Sequence, residues 1–336
     1  MRAPAFWRNR GPAARLLAPL GWIYGAATAV RMKRIGERVG VPVVCIGNFT
    51  AGGAGKTPTA LAAADRLAAL GRSPAFLSRG YGGKVREPTR VDLARHRHDF
   101  TGDEPLLLAR RAPTVVSPDR VGGARLAAAL GDVVIMDDGL QNPSLAKDLR
   151  IAVVDGAAGV GNGLCLPAGP LRAPLASQLG QVDAVLVIGP GAPGEAVAAE
   201  AAARGVPVLF ADLAPDPRAV AALKRKKVLA FAGIGRPEKM FATLRDAGVR
   251  VVEEQPFPDH HAFTRGEVAR LLSRARRKDF LVVTTAKDEV RLAGLLAPGE
   301  EREIHVLPVT LRFRDPAAAD RLFAAALERW ALSSSG

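Results

Sequence analysis

From residue 41 onward, short apolar runs alternate with longer segments rich in Ala and Leu. The first run, residues 41–46, holds Val41, Val43, Val44 and Ile46, broken only by Pro42 and Cys45, and reads as a buried strand. A glycine-rich turn follows, then a helix over 58–70. Pro58 falls in its first turn, where a missing N–H is not needed. Further strands are expected at 74–77, 133–136, 150–155, 184–188 and 206–210, with a helical run at 106–111. After the basic run Lys224-Arg225-Lys226-Lys227 the alternation restarts. Strands are expected at 228–232, 249–252, 280–285 and 304–309, helices from Glu238 and Arg265, and a closing helix over 316–330. Such alternation predicts an α/β fold.

The chain has 336 residues, enough for about two domains that each bury a real core. The expected division is an N-terminal segment over 1–35, a first domain over 36–222 and a smaller α/β lobe over 223–336. The two cysteines, Cys45 and Cys165, make no disulfide framework, and Cys45 sits in the first expected strand. Charge changes the picture more. Against 33 acidic residues stand 47 basic ones, a net +14, which favours anionic partners: nucleic acid, acidic lipid or phosphorylated substrates. The run 224–227 itself reads as a solvated face.

The excess begins at the N-terminus. Residues 1–36 hold no acidic residue, and an apolar run, 16–30, with Trp22, Ile23 and Tyr24, lies between Arg15 and Arg31. It is shorter than the ~20 residues that span a bilayer. A signal peptide and a core-packing helix are alternatives. The reading taken here is an amphipathic helix lying on an anionic membrane surface, apolar side down.

The chemistry concentrates at strand ends. The turn Gly52-Gly53-Ala54-Gly55, closed by Lys56-Thr57, reads with Thr50 and Ala51 as a phosphate-binding loop. Its glycines let backbone N–H groups converge on an anion at a helix N-terminus. Lys56 would reach the β- and γ-phosphates, and the Thr57 hydroxyl would bind Mg²⁺. Thr50 stands where the common pattern has a glycine. The run 133–136 ends in Asp137 and Asp138, a strand tip of the kind that holds Mg²⁺ in phosphate-loop folds.

Other stretches are more ambiguous. Ser78-Arg79-Gly80-Tyr81-Gly82-Gly83 is a functional-looking loop or a plain turn. Asp103 and Glu104, ahead of a helix, are caps or a base facing the phosphates. His96 and His98 read as a solvated loop rather than a metal pair. Asp259-His260-His261 is an acid/base element or local capping. Lys287 and Asp288 are adjacent, which excludes the guanine-reading arrangement.

Taken together, GNFTAGGAGKTP, SRGYGG, GDEP, DDGLQN, GNG…LPAGPLR, FAGIGRPEKMF, FPDHHAFT and TTAKDEVRL resemble one family over nearly the whole chain: the tetraacyldisaccharide 4′-kinases of lipid A biosynthesis. The Thr50 variant is a trait of that family. Asn142 stands where many members have His. The resemblance implies a phosphate-loop NTPase-like sheet with flanking helices, a second smaller α/β lobe and a cleft between them. It implies an enzyme peripheral to the cytoplasmic face of the bacterial inner membrane. A monomer with no specific nucleic-acid partner is expected. It would use ATP and Mg²⁺ to phosphorylate the amphiphilic tetraacyldisaccharide 1-phosphate. The family's catalytic base falls on Asp103, its partner histidine on His260, and its Mg²⁺ acids on Asp137 and Asp138; Lys56 completes the catalytic set. Arg79, Tyr81 and Arg172 are candidates for the sugar or its 1-phosphate. A partitioning-type ATPase bound to membrane or DNA is the competing class. Those proteins carry Lys where this chain has Ala51.

Overall fold

The computed structural model describes residues 4–334. Among these residues, thirteen strands form two sheets. In chain order they are β1 Val43–Asn48, β2 Pro74–Ser78, β3 Thr89–Arg90, β4 Thr114–Val116, β5 Val133–Asp137, β6 Leu149–Asp155, β7 Ala184–Ile188, β8 Val208–Pro215, β9 Lys227–Ala232, β10 Arg250–Pro256, β11 Leu281–Thr285, β12 Ile304–Leu307 and β13 Val309–Phe313. The larger sheet runs β13-β8-β7-β6-β1-β5-β2-β4-β3 and the smaller β10-β9-β11-β12. The larger is parallel except at its edges, where β3 and β13 are antiparallel.

Burial follows from side-chain alternation. Every residue of β1 and β5 is buried. Val43, Cys45, Val134 and Met136 enter the core on one face, and Val44, Ile46, Val133 and Ile135 the core on the other. A strand with helices over both faces must be apolar throughout, hence the continuous runs. The helix Lys56–Ala69 covers one face through Ala60, Ala63, Ala64 and Leu67.

Two expectations need correcting. The single strand expected at 304–309 is two. Pro308 interrupts it, its carbonyl accepts from the Asp216 N–H at 2.9 Å, and the chain crosses from the small sheet to the large one. A residue without an N–H cannot continue a ladder. The expected C-terminal lobe therefore ends before residue 336. β13 and the helix Pro316–Ser334 return to the large sheet, where Phe323 and Leu327 join the core beneath Lys56–Ala69. The lobe also begins slightly early, since Val220 and Leu223 of the helix Pro217–Leu223 pack into the small-sheet core.

The N-terminal helix Pro12–Met32 packs on the rest of the chain along one side only. Its small face packs on the loop 156–174. A Cβ on Gly21 would lie 2.7 Å from the Cys165 carbonyl, and one on Gly25 2.6 Å from Cys165 Sγ. Its other side leaves Leu16, Leu20, Trp22, Ile23 and Val30 exposed. It is not amphipathic in the usual sense: a small apolar face is buried and a large apolar face is open. Among the described residues no helix is long and apolar enough to cross a membrane.

Candidate active site

The site starts from strand order. β1 lies between β5 and β6, so the carboxyl ends of β1 and β5 open side by side. Register pairs Ile46 with Asp137, and the Asp138 N–H donates to the Ile46 carbonyl at 2.9 Å. The glycine-rich loop after β1 thus sits beside the acids after β5, where ligands gather in such sheets.

Within the loop, Gly55 caps the helix Lys56–Ala69 at φ 92°, a left-handed conformation that favours glycine. No acidic residue occupies the first turn, so the dipole is open to an anion. Around Gly52 and Gly53 there is open space. Thr50 bridges to Leu171, and the Ala51 N–H donates to the Pro170 carbonyl at 2.8 Å. That extended, paired backbone suits a β-branched residue and accounts for Thr in place of Gly. Lys56 Nζ lies 3.4 Å from the Gly52 carbonyl and 3.9 Å from Asp138 Oδ2. Ala54 and Thr57 are buried at the loop's end.

The two acids differ. Asp137 is buried, and its Oδ1 has no hydrogen-bond partner. Burial pushes its carboxyl up to about 6, Lys56 working against that and Asp138 with it. Asp138, held at φ 54°, accepts from both Arg172 terminal nitrogens at 3.0 and 3.1 Å. Burial works to raise its carboxyl too, but Lys56 and Arg172 outweigh it and hold it below the ordinary value. Arg172 thus pairs with an acid of the site. Gln141 lies beside this pair and accepts from Arg172 at 3.2 Å. A buried, unpartnered carboxylate oxygen next to a second carboxylate suits a hard, oxygen-seeking cation, and Thr57 in the first turn of the neighbouring helix adds a hydroxyl. Among the described residues no three His, Cys, Asp or Glu side chains are arranged to hold a metal ion by themselves, those around His96 and His98 included. The donor set fits Mg²⁺ shared with phosphate oxygens and water.

Asp103 opens the helix Asp103–Ala109 on the large-sheet side, and the small-sheet lobe supplies its partners. His260 Nδ1 lies 3.1 Å from Asp103 Oδ2, and Arg291 Nε donates to the same oxygen at 2.7 Å. Burial opposes ionisation, but the His260 and Arg291 hydrogen bonds outweigh it and hold the Asp103 carboxyl at about 2. The bond to Asp103 in turn raises His260 above its ordinary value. His260 adopts φ 55°, a strained conformation of the kind that clusters at functional sites. Beside them Lys287 donates to Glu104 at 2.6 Å, and the charges of both reach Asp137. The two acid groups therefore share one electrostatic environment. The Tyr81 ring lies 5.9 Å from the His260 ring, with its side chain mostly exposed. Arg79 is exposed and acts on Arg120, whose guanidinium donates to the Asp137 and Asp138 carbonyls at 3.4 and 3.3 Å. Asn142 is used locally, accepting from the Ser144 N–H at 2.8 Å.

Sequence reasoning singled out none of Arg120, Lys287 and Arg291 for the site. TTAKDEVRL carried the last two, but its only weighed use was a nucleotide-base motif that it fails.

With this geometry in place, comparison identifies the relatives. A family model for Tetraacyldisaccharide-1-P 4′-kinase matches residues 13–328. A Tetraacyldisaccharide 4′-kinase of Methylobacterium nodulans is 57% identical over 95% of this chain and 94% of its own. One of Methylobacterium radiotolerans is 57% identical over 97% of this chain and 99% of its own. Among solved structures, LpxK from Aquifex aeolicus in complex with ATP is similar in fold, with a TM-score of 0.71 at 24% identity over 94% of this chain and 99% of that one. On the extent of the family match and the identity of these relatives, the chain belongs to the tetraacyldisaccharide-1-P 4′-kinase family.

Proposed function

We propose that the protein transfers the γ-phosphoryl group of ATP to the 4′-hydroxyl of tetraacyldisaccharide 1-phosphate, giving lipid IVA. The observation that carries the reading is the pairing of two features across one cleft: a phosphate loop beside Asp137 and Asp138, and a buried carboxylate, Asp103, held by His260 from the other lobe. The partitioning-type alternative has no support from the relatives, and Ala51 lacks the lysine it requires.

The roles follow from the chemistry. The 4′-oxygen attacks the γ-phosphorus, the bond from that phosphorus to the ADP oxygen breaks, and the hydroxyl proton passes to Asp103. His260 fixes the base. The loop from Thr50 to Thr57 cradles the phosphates, and Lys56 neutralises charge on the group in flight. Mg²⁺, held by Asp137, Asp138 and Thr57, would supply further neutralisation of the phosphate oxygens. Tyr81, beside His260, is assigned to the sugar.

We assign the exposed apolar face of Pro12–Met32 to a membrane, at its cytoplasmic side, where its flanking Arg31, Lys33 and Arg34 meet anionic headgroups. A monomer with no specific nucleic-acid partner is proposed. Its two lobes are 36–215 with 309–334, and 217–307.

The test is a mixed-micelle assay with ATP, Mg²⁺ and the lipid. Wild type should form the 4′-phosphorylated product. Asp103→Ala should lose about 10²-fold or more in kcat while ATP affinity stays near wild type. Near-normal turnover in that variant would remove Asp103 from the role of base.

A further inference from the structure

The helix Ala286–Leu292 buries two charged side chains that the mechanism above leaves unused, Asp288 and Arg291. Arg291 Nε donates to Asp103 Oδ2 at 2.7 Å, and Nη2 lies 2.6 Å from the same oxygen. On its other edge, Nη1 donates to the Gly233 carbonyl at 2.6 Å and to Asp288 Oδ1 at 2.9 Å. Asp288 is itself fixed, accepting from the Gly233 N–H at 3.1 Å and from the Thr285 hydroxyl at 2.7 Å. The guanidinium is a rigid planar fork, so partners on both edges set its orientation. With His260 Nδ1 counted, three nitrogens lie around Asp103 Oδ2, His260 Nδ1 and Arg291 Nε hydrogen-bonded to it and Nη2 in ion-pair contact only, while Oδ1 accepts no hydrogen bond from any described residue.

We propose that Arg291, oriented by Asp288, is a positioning residue for phosphoryl transfer: it pins Asp103 Oδ2 and so presents Oδ1 to the acceptor hydroxyl. The inference rests on the reading of Asp103 as the base. Stability alone does not call for this arrangement, because replacing a buried ion pair by apolar packing of similar volume is often neutral or stabilising. The fork also spans the lobes, since Asp103 and Arg291 lie on opposite sides of the cleft. The base is therefore aimed only when the small-sheet lobe is seated.

Electrostatics add a second consequence. Asp103 is faced by His260 from the turn after β10, by Arg291, Asp288 and Lys287 from the helix Ala286–Leu292, and by Glu104 from its own helix. Burial works to raise its carboxyl, and Arg291 is one of the two groups that outweigh burial. Without Arg291 the carboxyl rises towards or beyond the ordinary aspartate value of about 4.

The experiment measures kcat and KM for lipid and ATP from pH 4.5 to 9, with full-length wild type, Arg291→Gln and Arg291→Lys, and with melting temperatures alongside. In Arg291→Gln, kcat should fall about tenfold or more with both KM values within about twofold of wild type, and an acid limb should enter the profile. Arg291→Lys keeps the charge but not the fork, so it should restore the profile without restoring kcat. Profiles that superimpose on wild type, with losses confined to KM or melting temperature, would overturn the proposal. So would wild-type kcat in Arg291→Lys, which decides the matter alone if Arg291→Gln does not fold. An inactive wild type would overturn the functional reading itself, a result distinct from an active wild type with unmoved variants.

Discussion

At the scale of single residues, the cleft sets two aspartates against each other. Asp103 ionises far more readily than an ordinary carboxyl, at about 2, because His260 and Arg291 outweigh its burial. Asp137, buried without a partner on Oδ1, is pushed to about 6. A folded value below the unfolded one stabilises at higher pH. Asp103 thus contributes about 2–3 kcal/mol, fully present above about pH 4 and lost as pH falls towards 2. For Asp137 the sign reverses, since its charge is easier to carry unfolded. Near pH 7, thermal unfolding of the ligand-free protein should therefore show Asp103→Asn destabilised by roughly that amount and Asp137→Asn stabilised by about 1–3 kcal/mol. Equal shifts of one sign would contradict this division. Lys56 and Thr57 were legible in the sequence because loop, strand and helix are contiguous. Asp103 and His260 were each ambiguous in the sequence and were joined only through family resemblance, since nothing local links positions separated by 157 residues. Arg172, a candidate for the sugar or its 1-phosphate, pairs with Asp138, a contact between distant positions that no local pattern shows.

At the scale of elements, apolar runs revealed most strands but not where they go. β4, three residues long, is too short for a periodic signal. The run at 304–309 looked continuous because both halves are apolar on one side, and only Pro308 marks the change of sheet. In the N-terminal helix, small and large apolar residues read alike in a hydropathy pattern, so the sequence does not separate the packed face from the open one. Its two faces make separable predictions. Trp22→Glu with Ile23→Glu, both on the exposed face, should lower partition into anionic vesicles about tenfold or more and leave melting unchanged. Gly21→Val meets the Cys165 carbonyl and should cost about 1–3 kcal/mol of stability. Vesicle binding that follows Gly21 and ignores Trp22 would move the helix's role from the membrane to the core.

For the molecule as a whole, function depends on two sheets meeting. One side of the junction is tied by Asp103 and Glu104 to Arg291 and Lys287, with Arg110 donating to Glu289 at 2.6 Å. On another, Asp155 at the end of β6 accepts from Lys239 at 2.6 Å and pairs with Arg236. The glycine-rich loop and Asp103 thus come from the large sheet, while His260 and Arg291, which hold Asp103, come from the small one. The net charge of +14 and the open apolar helix face suit a substrate that is both anionic and lipid. The most direct test of this account is transfer of label from γ-labelled ATP to tetraacyldisaccharide 1-phosphate in detergent micelles, wild type beside Lys56→Ala. The account predicts labelled lipid phosphorylated at the 4′-position with wild type, and label reduced about 10²-fold or more in the variant. Bound ATP with no labelled lipid from wild type, while a family member run alongside is active, would contradict it.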